Sequence, residues 1–499
     1  MPDYTLPGVY VEEIWRQPRP IEDVSTSTAG MAGETERGPL TPRLVTSWAE
    51  YLRWYGDYVD RVVPPPSPNV FLPYAVRSFF ENGGRRLHVA RVTGAASQTA
   101  QGELPAADGN TIVAASGPGD WGNQIVVLVT KHSLELECFS VQVLYFRDGI
   151  PAGGPADREP DALEEFKDLT SDRTLPNYAG AVINDASSLI RIIDCPSPPA
   201  EALWPGIVLQ GGLSEPAVAA EYQTGLAGLG EIEEIALMAI PDEVVIPTLD
   251  VALIEQCENR RDRFAVLSEA YGQSDISQIR PPRDTSYGAF YYPMLRVPAP
   301  HTPEGRILVP PCGHVLGLIA RVEMGRGVAK APADEVVRGI VESDPVQFVI
   351  SKSEQDSLNS RGVNVVRDFR SMGRGVRVWG ARTMSSDPEW RYINVRRLCI
   401  FLERSIARGT QWTVFEPNSE QTWSAVRASV HSFLGMVWRD GALQGNKEEQ
   451  AFFVKCDHTT MTQDNIDNGR LICVIGVAPV KPAEFVIIRI EQRTIEVTP

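Results

Sequence analysis

The 499-residue chain holds only seven cysteines, at 138, 195, 257, 312, 399, 456 and 473. The number is odd and no two have a C-x-x-C spacing, which excludes a disulfide framework and reads as buried thiols in a reducing compartment. No apolar run approaches the roughly 18 residues of a membrane span; the stretch 471–480, one of the longest, is interrupted by Gly476 and Pro479. The opening MPDYTLPGVYVEE lacks the basic and apolar regions of a secretory signal. Basic charge is short as well: Lys+Arg 47 against Asp+Glu 64 gives −17, without the electrostatic footprint of a general nucleic-acid binder. Motifs of the form H-E-x-x-H, G-x-x-x-x-G-K-S/T and G-x-S-x-G are missing, so zincin, P-loop and nucleophile-elbow chemistry has no local signature.

What resembles chemistry weakens on inspection. Gly117-Pro-Gly119-Asp-Trp-Gly122 has dinucleotide-loop spacing, but apolar strand sequence follows, not the helix whose N-terminus would hold a pyrophosphate. Gln463-Asp-Asn-Ile-Asp-Asn-Gly469 hints at a calcium loop, yet Ile466 and Ile475 fall where oxygen ligands belong. Cys312-Gly-His314 and Cys456-Asp-His458 each set a thiol beside an imidazole, without the second pair a zinc site needs. The candidates for a hydrolytic site, His301, His314, Ser268 and Ser286, lie in no nucleophile motif. No catalytic residue, cofactor or metal is therefore expected.

Ordinary composition, with 43% hydrophobic and 22% charged residues, implies a globular chain, and its length implies about three domains. Residues 1–22, with Pro2, Pro7, Pro18 and Pro20 around Val9, Tyr10 and Val11, read as an extended strand arm. At the other end, 485–499 alternates Val486, Ile488 and Ile490 with charged residues and reads as a second strand arm. Helical patterns at 47–55, 73–82, 218–229 and 248–263 alternate with strands at 86–92, 235–240 and 264–267. That alternation predicts an α/β middle domain made of 23–95 plus 201–350. Short β runs at 112–115, 124–130 and 141–147 predict a small all-β domain inserted over 96–200. A C-terminal α+β domain is expected over 351–484, with a helix near 395–408 and another at 419–440. The second would be capped at Asn418 with Gln421 three residues on, and would bury Trp423, Val426, Val430, Phe433, Leu434 and Val437. The run 471–477 reads as a strand buried on both sides.

Between 367 and 408 stand ten arginines, four acids and no lysine, a net of +6 in an acidic chain. Arg397, Arg404 and Arg408 fall within about 40° of one another on a helix. They read either as a solvated face paired within its own domain or as a basic surface for an acidic partner.

Several segments together resemble contractile tail sheath proteins. They are Leu6-Pro-Gly-Val-Tyr-Val-Glu-Glu13, Tyr287-Gly-Ala-Phe-Tyr-Tyr-Pro293, Val309-Pro-Pro-Cys-Gly-His-Val315 and Gly327-Val-Ala-Lys-Ala-Pro-Ala333. Beyond residue 360 the likeness is densest: Val376-Arg-Val-Trp-Gly-Ala-Arg382, Ser385-Ser-Asp-Pro-Glu-Trp-Arg-Tyr392, Asn394-Val-Arg-Arg397, Phe415-Glu-Pro-Asn418, 461–470 and Val477-Ala-Pro-Val-Lys-Pro-Ala-Glu-Phe485. The resemblance implies a subtilisin-like but non-proteolytic middle domain. It also implies a helical polymer of stacked hexameric rings around an inner tube protein, ending at baseplate and tail terminator proteins. Assembly would take place in a bacterial cytoplasm, without cofactor, nucleic acid or membrane insertion. The strand-forming arms are then expected to exchange strands between subunits, and the basic helix face of Arg397, Arg404 and Arg408, with Arg396 as a flank, is expected to face the tube. Other readings are a tube or baseplate component, or a subtilisin-fold hydrolase.

Overall fold

A computed structural model of the chain describes residues 19–59, 70–131, 138–246 and 248–484. The expected arm residues Val9, Tyr10, Val11, Val486, Ile488 and Ile490 lie outside the described residues. Two compact units form, one of Ser25–Arg397 and one of Met1–Val24 with Leu398–Pro499.

The larger unit begins with β1 (Ala29–Glu34), β2 (Arg43–Val45), α1 (Trp48–Tyr55), α2 (Leu72–Glu81) and β3 (Leu87–Val92). An insertion follows, with β4 (Gln101–Leu104), β5 (Thr111–Ala115), β6 (Ile125–Lys131), β7 (Phe139–Tyr145), β8 (Ala162–Leu169), α3 (Ala179–Ala186), β9 (Ile190–Asp194) and β10 (Ala202–Val208). The chain returns through α4 (Ala219–Gly230), β11 (Leu237–Ala239), α5 (Leu249–Arg260), β12 (Phe264–Ser268) and β13 (Gly288–Tyr292). The hairpin β14 (Leu295–Pro298) and β15 (Arg306–Val309) leads to α6 (Cys312–Arg326), β16 (Glu335–Val336), α7 (Lys352–Ser360), β17 (Val363–Asp368) and β18 (Val376–Trp379).

Nine of these strands make one sheet in the order β16-β18-β17-β13-β12-β11-β1-β3-β2. The six from β17 to β3 run parallel; β2 closes one edge antiparallel, and at the other β18 runs antiparallel to β17 and the two-residue β16 antiparallel to β18. Helices α2 and α6 pack on one face, and α4, α5 and α7 on the other. Both faces are thus covered, which is why β1, β3, β12 and β13 are buried at every position rather than at alternate ones. Tyr222, Leu226 and Leu229 of α4 and Leu253 and Ile254 of α5 share one core with Val92, Met238 and Phe290.

Two expected boundaries change. The C-terminal domain does not begin at 351, because β17 extends the parallel ladder from β13 and β18 then covers that edge. The unit runs to Arg397, inside α8 (Ile393–Gly409). The insertion does not end at 200, because β10 pairs with β6. Nor is it all-β: α3 packs against its β8 and β9 beneath the sheets β10-β6-β7-β8 and β4-β5-β9.

Helices α2 and α6 approach closely at two glycines one turn apart. A Cβ on Gly313 would lie 2.4 Å from the Ala75 carbonyl oxygen, and one on Gly317 would lie 2.3 Å from that of Phe79. Backbone cannot yield as a side chain does. Gly317→Ala should therefore cost about 1–3 kcal/mol by overpacking, read as a lower urea midpoint with unchanged slope.

The smaller unit holds residues 19–24, α8 from Leu398 on, α9 (Glu420–Arg439), α10 (Glu448–Ala451), β19 (Phe452–Lys455), α11 (Gln463–Asp467) and β20 (Val474–Val477). The predicted apolar face of α9 is buried at all six positions. Its cap is Ser419, however. The Asn418 side chain instead accepts from Trp423 Nε1 (2.6 Å) and donates to the Arg470 carbonyl (3.1 Å). The strand expected at 471–477 is shorter and half-exposed, with β19 as its strand partner.

Candidate functional site

The small sheet β19–β20 is the feature of the smaller unit that its own core does not explain. Its register pairs Phe452 with Val477, Phe453 with Gly476, Val454 with Ile475 and Lys455 with Val474. Phe453 and Val474 are 49% and 43% exposed, large apolar side chains on a two-stranded sheet. Among the described residues neither strand belongs to a larger sheet. After β20 the chain passes through an isolated bridge, Leu443 with Pro479, toward residue 485. At its other terminus, Ile21 is buried against Gly409, Arg19 lies 4.6 Å over the Trp412 ring, and the Val24 N–H donates to Ser405 Oγ. The chain segments adjoining both terminal regions are thus anchored in this one unit.

The arginine-rich stretch divides. Arg396 and Arg397 were expected to face a partner, and the structure corrects this: both are buried, 5% and 4% exposed. Arg396 lies between the rings of Tyr287 (4.1 Å) and Trp390 (4.6 Å). Arg397 forms an ion pair with Glu323, each side chain 4% exposed, and also donates to the Thr26 carbonyl. Helical periodicity grouped Arg397 with Arg404 and Arg408, but the helix enters a core at its first turns. Others are held locally: Arg370 by Asp368, and Arg374 and Arg377 by Asp334. Arg404 is half-buried and Arg408 exposed.

The hydrolytic candidates do not converge. Among the described residues no serine hydroxyl hydrogen-bonds to a histidine. His301 reaches Asp57 at 3.5 Å. Ser268 ends β12, where its N–H donates to Glu243 Oε1 at 2.7 Å. The segment after Gly117-Pro-Gly119 is a five-residue 3-10 helix at Asp120–Gln124 followed at once by β6, so no α-helix N-terminus meets the glycines. A cleft of about 410 Å³ has Glu36, Arg91 and Tyr145 in its wall. These groups are engaged internally: Tyr145 Oη donates to Glu36 at 2.6 Å, and Arg91 donates to the Gly38 and Pro118 carbonyls at 2.7 Å each. Among the described residues no cluster of three or more His, Cys, Asp or Glu could hold a metal, and no helix is long and apolar enough to cross a membrane.

Burial sets the pH response of the larger unit. His314 is fully buried on α6, and neither ring nitrogen has a hydrogen-bond partner among the described residues. Burial lowers it to about 3. The unfolded chain then takes the proton first, so stability is lost as pH falls below ~6.5 toward 3. Asp242 works the other way. Burial raises it to about 6, so stability is gained as pH falls from 6 toward the unfolded value of ~3.9. His314→Leu should therefore be more stable relative to wild type at pH 4 than at pH 7, by roughly 3 kcal/mol. Urea midpoints of both proteins at the two pH values check this; parallel shifts would contradict it.

Comparisons with known proteins agree with this geometry. Residues 215–384 match the family model for the phage tail sheath protein central domain, and residues 385–493 that for the phage tail sheath C-terminal domain. The tail sheath protein of Vibrio phage KVP40 is 26% identical over 179 residues, 36% of this chain and 26% of that protein. A putative prophage major tail sheath protein of Pseudomonas aeruginosa is 25% identical over 186 residues, 36% of this chain and 45% of that one. The matched segments thus span less than half the length of these relatives. Among solved structures, the contracted sheath of the extracellular contractile injection system PVC has a TM-score of 0.61 at 22% identity, covering 99% of each chain. The contracted helical sheath of the anti-feeding prophage has a TM-score of 0.59 at 25% identity, covering 98% of this chain and 100% of that one. The chain is therefore of the class of structural components of phage tail-like particles. Within that class it belongs to the contractile tail sheath family.

Proposed function

We propose that the chain is the subunit of a contractile sheath that polymerises helically around an inner tube by strand exchange and contracts to drive the tube through a target envelope. The observation that carries this is the β19–β20 sheet, a two-stranded element with exposed apolar residues just before the C-terminal segment. Two strands alone are marginal in water, and an edge gains by receiving a strand from a neighbour. A strand given to one neighbour and received from another is a heterologous contact, which builds rings or open helices.

On this reading the nine-stranded middle layer is a subtilisin-like fold used as scaffold, without turnover, cofactor or nucleic acid. The extended tube is a kinetically trapped packing, and firing releases its free-energy difference from the contracted packing. Arg408, with Arg404 beside it, is the remaining candidate for the tube-facing surface. Exposed charge pairs there are weak individually, roughly 0–1 kcal/mol each, but repeat on every subunit. Baseplate and terminator proteins would bound the polymer, assembled in a bacterial cytoplasm. Negative-stain electron microscopy of the purified full chain tests the reading: wide hollow tubes are expected, whereas narrow tubes would indicate an inner-tube protein.

A further inference from the structure

The seven cysteines divide by their surroundings. Cys195, Cys257 and Cys312 are buried, and burial pushes each thiol up. Cys456 and Cys473 differ because they meet. The β19–β20 ladder ends at the pair Lys455 and Val474. One step further along the same register brings Cys456 opposite Cys473. The Ala478 N–H donates to the Ala451 carbonyl, which makes 451 and 478 a hydrogen-bonded pair. Alternation from there makes 456 and 473 a non-hydrogen-bonded pair. At such sites the Cα atoms are only ~4.5 Å apart and the side chains closest, inside the range a disulfide spans. Both cysteines join a small cluster with Trp423 and Met461, and the Met461 sulfur accepts the Ile472 N–H at 3.1 Å, fixing the turn before Cys473.

We propose that Cys456 and Cys473 form a reversible dithiol–disulfide latch across the loop end of the β19–β20 ladder, oxidised by a low-molecular-weight disulfide. This does not depend on the strand-exchange reading. The two thiols have different roles. Cys473 is half-buried and Cys456 buried. Their mutual hydrogen bond holds Cys473 below the ordinary thiol value and pushes Cys456 above it. Cys473, the more accessible and more acidic, attacks as thiolate. Its sulfur bonds to one sulfur of the oxidant, and the other leaves as a thiolate. Cys456 then loses its proton to solvent and attacks the Cys473 sulfur, expelling the second thiolate. Two protein thiols are oxidised, one external disulfide is reduced to two thiols, and no other electron acceptor is needed.

The experiment incubates the folded full chain with oxidised glutathione, blocks remaining thiols with N-ethylmaleimide and maps peptides by mass spectrometry. The expected product is one cross-linked peptide pair, 456 with 473, two hydrogens lighter than the reduced pair. It should form at least about ten-fold faster than any modification of Cys257 or Cys312. Cys456→Ser should trap glutathione on Cys473, whereas Cys473→Ser should leave Cys456 unmodified over the same time. A wild-type product carrying glutathione on Cys473 with no 456–473 bond would overturn the proposal. So would two thiols that both remain alkylatable, with circular dichroism confirming the fold.

Discussion

Arg397→Met should destabilise the larger unit by about 3–5 kcal/mol, the range for removing one partner of a buried ion pair. The substitution keeps much of the side-chain volume, so the loss reports charge rather than packing. Glu323 would remain 4% exposed with its partner gone, and the Thr26 carbonyl would lose a donor. Arg397→Met with Glu323→Leu should recover most of the loss, because an apolar pair of similar volume often equals or exceeds a buried ion pair. Urea unfolding of the three proteins measures both effects. A single-variant loss below about 1 kcal/mol, the surface-pair range, would return Arg397 to the set of surface arginines.

Deleting residues 485–499 should have the largest functional effect, complete loss of tube formation with the subunit still folded. The core of the smaller unit rests on Trp423, Val430, Phe433 and Leu434 of α9, with Cys456 and Met461, and a strand given to a neighbour adds little to its own subunit's core. The unfolding midpoint should therefore stay within the roughly 0.5 kcal/mol typical of surface changes, while sedimentation shows monomer only. Regular tubes from the truncated chain would remove the C-terminal arm from the assembly.

Local pattern made much of the fold legible. The α9 face was readable because six apolar residues recur at helical spacing, and the middle sheet because strands and helices alternate along the chain. Partnering across long sequence distances was not legible. The end of the middle domain escaped because β17 and β18 look like any short strands until β13 is seen to need a neighbour. Arg397 misled because periodicity assigns a face of a helix but not what packs on it, and Arg396 was carried along only as its flank. Their partners, Tyr287 and Glu323, lie more than seventy residues away in sequence. The opposition of Cys456 and Cys473 depends on strand register, which their spacing did not reveal.

The central claim, that subunits are joined by strands passed from chain to chain, is tested most directly by a helical reconstruction of tubes grown from the purified protein, traced from Pro482 onward. The account predicts that residues 485–490 of one copy continue into a neighbouring copy and run as a strand along the edge of that neighbour's β19–β20 sheet. Density showing those residues folded back onto their own unit, with no strand shared between copies, would contradict it.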